Sequence, residues 1–263
     1  MSADRAPLTS RTVQQRGYVL ALIGVALLIL AMALPPFAQP QGYHDFADKR
    51  GWLGIPNVGD VASNLAFLWV GLAGLFVLRL PNVRAMAPSP RQAYGLMFVG
   101  LVFTAFGSGY YHWAPSDAHL VWDRLPMTVV FMPLLAATLA ERLRWCSTWS
   151  LWGLMLLGVG SVVYWKLSGN LLPYLIAQGG SILLILLAIA WLPTPWTGRR
   201  LLYGALASYA VAFVSEKLDR QIFDLTAGIV SGHTIKHLAA AFAFYFMLRM
   251  LRQQHLQTET IHD

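Results

Sequence analysis

The chain has 263 residues, of which 57% are hydrophobic and 12% are charged, and its formal net charge is +7 at pH 7. A mean hydropathy of +0.54 excludes a soluble domain of ordinary composition. The basic residues lie between apolar segments rather than in a run with interleaved aromatic residues, so nucleic acid is not an expected partner. The composition therefore predicts an all-α integral membrane protein.

Eight apolar segments along the chain are long enough to cross about 30 Å of hydrocarbon. The predicted transmembrane helices cover residues 18–37, 58–80, 93–113, 121–141, 149–167, 171–192, 201–219 and 233–252. Arginines precede the first segment, as in a signal peptide, but its apolar run is long and no cleavage site of small residues follows it. We therefore interpret the first segment as a true membrane span.

The distribution of basic residues predicts an orientation for these spans. If successive spans alternate in direction, most of the 19 lysine and arginine residues lie on the side that holds both termini. The positive-inside rule makes that side cytoplasmic. We therefore expect a protein of the bacterial inner membrane, with both termini in the cytoplasm and residues 38–57, 114–120 and 220–232 facing the periplasm.

Residues that can bind a metal ion cluster at the predicted periplasmic face. Ser108 and His112 end the third span, Asp123 opens the fourth, and His233 and His237 open the eighth. Residues four apart share one face of a helix, so His233 and His237 can offer two imidazoles to one ion. By the same spacing Ser108 and His112 point together. Polar side chains at this depth are costly unless they are used.

Three imidazoles together with water form an open catalytic zinc arrangement. Zinc lowers the pKa of its water from about 15.7 towards about 7, and Asp123 can deprotonate that water or hold a histidine in one tautomer. The single Cys146 excludes an internal disulfide and a cysteine-based zinc site. Ser108 has an alternative role, because Gly107 and Gly109 beside it are typical of close helix packing.

Other polar residues open the second span and close the seventh. Helix capping explains Asn57 or Asp60. Ser63 and Asn64 lie deeper, where they either form hydrogen bonds that pack neighbouring helices or support the site. A charged group at the end of the seventh span is interpreted as a set of ion pairs, formed by Glu216, Lys217, Asp219 and Arg220.

The segments "GSGYYH", "WDRLPM" and "HTIKH", with "SN" early in the second span, give the chain a recognisable pattern. In this combination it resembles the alkaline ceramidase family, within the membrane hydrolase superfamily that includes the adiponectin receptors. The resemblance covers residues 58–252 and implies a seven-span ceramidase-like helical bundle. Residues 18–57 then add one extra transmembrane helix and an outer loop, and 1–17 and 253–263 are cytoplasmic tails.

The resemblance implies a role for each of the five polar residues. His112, His233 and His237 are the zinc ligands, Asp123 works with water at the zinc and carries a proton to the leaving amine, and Ser108 positions water or stabilises the oxyanion. The implied reaction is hydrolysis of the amide bond of ceramide-like membrane lipids, which yields a sphingoid base and a fatty acid.

The segment before the second span departs from the family. Alkaline ceramidases carry an acidic calcium-binding segment there, which "HDFADKRGWLGIPN" matches only in part. Asp45 and Asp48 stand in matching places, whereas Arg50 and Asn57 occupy positions where acidic ligands are expected. A calcium site at Asp45 and Asp48 is therefore a hypothesis, and another lipid amide or ester is an alternative substrate.

Two other classes of function use the same residues. A proton-coupled transporter or a receptor-like lipid-binding protein would use the buried histidines and Asp123 as a relay or a ligand pocket, without hydrolysis. An intramembrane serine protease would use Ser108 as its nucleophile, but three histidines would then be superfluous. The sequence indicates no oligomeric state.

Overall fold

The computed structural model describes residues 9–143, 146–193 and 199–253 and is helical throughout, with no strand in these ranges. Its α-helices are α1 (Ser10–Ala33), α2 (Val58–Ser63), α3 (Leu65–Val77), α4 (Pro81–Arg84), α5 (Pro88–Trp113), α6 (Asp117–Ala140), α7 (Thr148–Ser168), α8 (Leu172–Trp191), α9 (Arg199–Lys217), α10 (Asp219–Leu225) and α11 (Gly232–Gln253). One short 3₁₀ helix, Gln41–His44, lies in the connection between α1 and α2. The predicted all-α class is confirmed.

Seven helical segments of the described chain are long and apolar enough to cross a membrane. They are α1, the pair α2 and α3 taken together, α5, α6, α7, α8 and α11. The eighth predicted span, 201–219, corresponds to α9 and α10, which pass the same test only as a pair and are bent by 86° at Leu218. The fold is therefore an integral membrane bundle in which one span is sharply bent.

The first helix begins and ends earlier than the predicted span 18–37. It begins at Ser10 because the Thr9 side chain accepts a hydrogen bond from the backbone N–H of Thr12, a helix cap within a polar segment that hydropathy alone does not detect. It ends at Ala33 because Leu34 precedes a proline and takes an extended conformation. The predicted tail 253–263 lies outside the described residues, apart from Gln253 at the end of α11.

The helices pack around the pair α5 and α6, which share the most extensive interface. Helix α3 packs on α5 and α11, α7 and α8 pack on α6, α9 packs on α11, and α1 packs on α8. Helix α1 is the least buried span, and apolar side chains such as Leu22 and Met32 point outward from it. Outward-facing apolar side chains are what a bilayer requires of a spanning helix.

Gly107 allows α5 and α6 to approach closely at the end of the bundle that holds the predicted site. A Cβ atom added there would collide with the backbone carbonyl of Trp122 and lie 3.3 Å from Pro126. A Cβ added at Gly109 would meet nothing within 4 Å. The packing role that the sequence suggested for the glycines around Ser108 therefore belongs to Gly107 alone.

We expect Gly107→Ala to destabilise the protein by about 1–3 kcal/mol, because the added methyl forces the two helices apart. Gly109→Ala is the matched control. It faces open space on the same helix and should leave stability unchanged or raise it by up to about 1 kcal/mol, since alanine favours the helix. Thermal unfolding in detergent checks both, and equal melting temperatures for the two variants would contradict the packing argument.

Candidate metal centre

Three buried histidines from two helices meet at one end of the bundle. His112 lies in the last turn of α5, and His233 and His237 lie in the first two turns of α11. Their exposed fractions are 1%, 3% and 4%, and one ring nitrogen from each lies within 4.8 Å of the others. Among the described residues, this is the one group of His, Cys, Asp or Glu side chains arranged to hold a metal ion.

The spacing of the histidine nitrogens suits a tetrahedral ion. The Nε2 atoms of His112 and His233 are 3.2 Å apart. Two nitrogens bound at about 2.0–2.1 Å to one tetrahedral zinc lie roughly 3.3 Å from each other. The distance between the two Nε2 atoms therefore fits a role in binding one metal ion.

Ser63 sets the tautomer of His237. Its hydroxyl donates to the backbone carbonyl of Asp60 at 3.0 Å and lies 2.8 Å from Nδ1 of His237. A hydroxyl has only one proton, so Nδ1 of His237 must be the donor to Ser63, and Nε2 is left with a free lone pair. Such partners orient metal-binding histidines. Ser63 therefore supports the site, whereas Asn64 bonds to the carbonyl of Asp60 at 2.7 Å within its own chain segment.

Carboxylates from two other elements fix the first turn of α11. The buried Asp60 accepts hydrogen bonds at 2.8 Å from both Ser231 and Thr234, and Asp219 accepts one at 2.8 Å from the backbone N–H of His233. Asp60 thus holds α11. The sequence suggested instead that Asp60 caps its own helix. Asn57 does not cap that helix either, because its amide donates to the backbone carbonyl of His112 at 2.7 Å.

The connection between α1 and α2 covers the histidines. The ring of Phe46 lies 4.6 Å from that of His112 and 4.4 Å from that of His233, measured between centroids. The backbone N–H of Ala47 donates to Asp219 at 2.9 Å. The same carboxylate therefore anchors both the covering segment and the helix that carries two of the histidines.

Ser108, Asp123 and His237 line one cavity of about 270 Å³ between α3, α5, α6, α8, α9 and α11. Ser108 and Asp123 are 2% and 9% exposed, so both polar side chains are buried where they line the cavity. His112 and His233 lie behind this wall and do not line the cavity. The five residues singled out in the sequence are thus brought to one end of the bundle, with His237, Ser108 and Asp123 facing the same space.

The sequence suggested that the charged residues near the bend of α9 and α10 form ion pairs with one another. Their ion pairs in the structure are made with other residues. Glu216 pairs with Lys236 of α11 at 2.7 Å, and Arg220 pairs with Asp45. Lys217 lies over the ring of Phe213. Each contact joins the bend to a different part of the chain or stays within α9. Spacing along one helix could not identify Lys236 or Asp45 as partners.

Asp45 and Asp48 do not fit a calcium site. Asp45 pairs with Lys49 at 2.7 Å as well as with Arg220. Asp48 is fully buried, and the Arg50 guanidinium binds both of its carboxylate oxygens, at 2.8 and 2.7 Å. Calcium takes six to eight oxygen ligands, whereas these two carboxylates are separately bound by basic side chains. An arginine thus stands where the calcium hypothesis places the ion.

Arg50 also ties the segment to the rest of the protein. It donates to the backbone carbonyl of Ile229 at 2.9 Å and lies over the ring of Phe223. Burial by itself would raise the pKa of Asp48, but the hydrogen bonds and charge of Arg50 outweigh burial, and the pKa lies below its ordinary value. The pair is therefore ionised at neutral pH.

No protein-family model matches the chain, and no curated protein matches it.

We expect the purified protein to bind one zinc ion per chain and His237→Ala to lose it. Ser63→Ala should weaken zinc affinity by about 10–100-fold, because His237 loses the partner that sets its tautomer. Ser161→Ala is a matched control, since this buried serine bonds only to a carbonyl of its own helix α7. Metal analysis and titration against a zinc chelator measure both effects, and an unchanged affinity in Ser63→Ala would contradict the assigned role.

We expect Arg50→Gln to destabilise the protein by about 1–3 kcal/mol at neutral pH, because a buried carboxylate loses its charged partner. Since the pKa of Asp48 is depressed in the folded protein, this contribution is present above the ordinary aspartate pKa of about 3.9 and disappears as the pH falls through the lower folded value. The difference in melting temperature between the two proteins should therefore narrow as the pH is lowered from 7 towards about 3.

Added calcium provides the complementary measurement on the wild-type protein. Because basic side chains hold both carboxylates, we expect no change in melting temperature with calcium. A calcium-dependent rise in melting temperature that is absent from Asp48→Asn would contradict this assignment.

Proposed function

We propose that the protein is a zinc-dependent intramembrane hydrolase that cleaves amide bonds of ceramide-like membrane lipids, as its motifs resemble those of the alkaline ceramidases. The observation that carries the proposal is the meeting of three buried imidazoles behind a cavity that also presents Asp123 and Ser108. Three histidines with an open position are a catalytic rather than a structural zinc arrangement.

Each residue of the site has a distinct task in amide hydrolysis. His112, His233 and His237 would hold the zinc, which when bound polarises a carbonyl and makes water nucleophilic at neutral pH. Asp123 takes a proton from the attacking water and passes it to the nitrogen of the leaving amine. Ser108, which lines the same cavity as Asp123, can donate a hydrogen bond to the substrate carbonyl oxygen.

The surroundings of the site suit a lipid substrate. Much of the cavity wall is apolar, with Leu101, Met127, Phe131, Phe213 and Phe244 among its lining residues. These side chains provide surface for an acyl chain, and a site within a membrane bundle receives lipid directly from the bilayer. Phe46 packs against the rings of His112 and His233, so its segment covers part of the histidine cluster.

We expect Asp123→Asn to retain zinc but to lower kcat by about 10²–10⁴-fold, because the amide cannot transfer the proton. Ser108→Ala should retain zinc and lower kcat by a smaller factor, up to about 10³-fold. Asp224→Asn, an exposed carboxylate on α10, is the control that should leave activity unchanged. Release of fatty acid from a panel of ceramides and other lipid amides, measured by mass spectrometry, gives the rates.

The same experiment decides between the proposal and its alternatives. Zinc binding without hydrolysis of any lipid amide or ester would identify a lipid-binding or receptor-like protein. A folded protein that binds no zinc would favour a transporter in which the histidines carry protons. Loss of all activity in Ser108→Ala but not in His237→Ala would indicate a serine nucleophile.

A further inference from the structure

A buried arginine faces the same cavity and has no function in the hydrolysis described above. Arg124 follows Asp123 on α6, is 4% exposed and lines the cavity. No carboxylate of the described residues forms an ion pair with it. A buried guanidinium that forms no ion pair is unusual, because removal from water is costly unless the charge is paired.

The contacts of Arg124 satisfy only part of its guanidinium group. Its Nη2 atom donates to the side-chain oxygen of Gln39 at 2.7 Å. Its Cζ atom lies 4.3, 4.8 and 5.7 Å from the ring centroids of Trp165, Tyr174 and Tyr43. The faces of aromatic rings stabilise a cation, but they do not accept hydrogen bonds from the N–H groups in the plane of the guanidinium. The Nη1 atom is buried and has no hydrogen-bond partner in the described part of the chain.

The charges around the cavity favour a negatively charged ligand. Its lining includes the basic residues Arg124, Lys217 and Lys236 and the acidic residues Asp123 and Glu216. Lys236 and Glu216 form an ion pair at 2.7 Å and offset each other. Among the other lining residues, Arg124 and Lys217 outweigh Asp123, so the net charge of the lining is positive. A divalent ion on the histidines would increase this positive charge. A planar guanidinium fork is the group best suited to a carboxylate or a phosphate.

We propose that Arg124 binds a carboxylate or phosphate group of a lipid in this cavity. Because Arg124 and Asp123 are adjacent and line the same space, this anionic group lies close to the bond that Asp123 would act on. Where cleavage is concerned, this inference rests on the proposed hydrolase function. It narrows the substrate class to lipid amides with an acidic group near the amide, such as N-acyl amino acids. The binding of the anionic group does not depend on cleavage.

A binding measurement with lipids that cannot be cleaved tests the inference directly. Hexadecyl phosphate and hexadecanol share one chain and differ in charge, and the protein contains Trp165 beside Arg124 as a fluorescent reporter. We expect the wild-type protein to bind hexadecyl phosphate at least about tenfold more tightly than hexadecanol. Arg124→Gln should remove this preference, and Arg124→Lys should keep part of it, because lysine retains the charge without the fork.

Two further variants make the measurement specific. Arg91→Gln removes an exposed arginine at the start of α5 and should keep the full preference. His237→Ala, which loses the metal ligand, should also keep a preference, since the inference assigns the anionic group to Arg124. Equal binding of the two lipids by the wild-type protein, or an unchanged preference in folded Arg124→Gln, would overturn the inference. So would loss of the entire preference in His237→Ala.

The cleavage arm compares N-palmitoylglycine, which carries a carboxylate, with the neutral N-palmitoylethanolamine. We expect the wild-type protein to hydrolyse the acidic amide with at least about tenfold higher kcat/KM, and Arg124→Gln to abolish this ratio. If binding shows the preference but neither amide is cleaved, the hydrolase proposal fails and the anion site stands. If both amides are cleaved at equal rates and binding shows no preference, the hydrolase stands and the anion site fails.

Discussion

The site depends on how the first turn of α11 is held. Asp60 from α2 and Asp219 from α10 supply carboxylates to that turn, and both lie within or beside apolar spans. A helix start has unpaired backbone N–H groups that must find acceptors when they are buried. Asp219 accepts a hydrogen bond from one of these groups, the backbone N–H of His233, and Asp60 accepts from the hydroxyls of Ser231 and Thr234, so that two other helices fix the direction of α11. This arrangement sets the positions of His233 and His237. Their i, i+4 spacing alone places both on one face of α11 but does not determine where that face lies in the bundle.

The irregularities of the bundle serve the same arrangement. The 86° bend between α9 and α10 brings Asp219 to the start of α11, and the break at Asn64 between α2 and α3 leaves the carbonyl of Asp60 free to accept from Ser63 and Asn64. Interruptions of spanning helices are tolerated where the freed backbone groups are bonded again or line a cavity. Here the freed carbonyl of Asp60 bonds to Asn64 and to Ser63, the residue that orients His237.

The sequence predicted the spans well because about 20 consecutive apolar residues leave little choice of structure in a bilayer. It predicted the meeting of His112 with His233 and His237 because alternating spans place their ends at one face. It did not predict the bend of α9, which hydropathy treats as a continuous span. Nor did it identify Arg124 as a cavity residue or Arg50 as the partner of Asp48, because contacts between helices and loops leave no periodic signal.

The segment between α1 and α2 completes the site on two sides, although none of its residues belongs to the histidine cluster. Phe46 covers His112 and His233, while Gln39 bonds to Arg124 and Tyr43 stacks near it. A segment that covers the site in this way must be ordered. Two spanning helices hold its ends, which reduces the conformational entropy that ordering removes, and the Arg50 pair fixes its middle without a metal. Helix α1 therefore does more than anchor the chain, because it closes the segment into a loop and makes an ordered cover attainable.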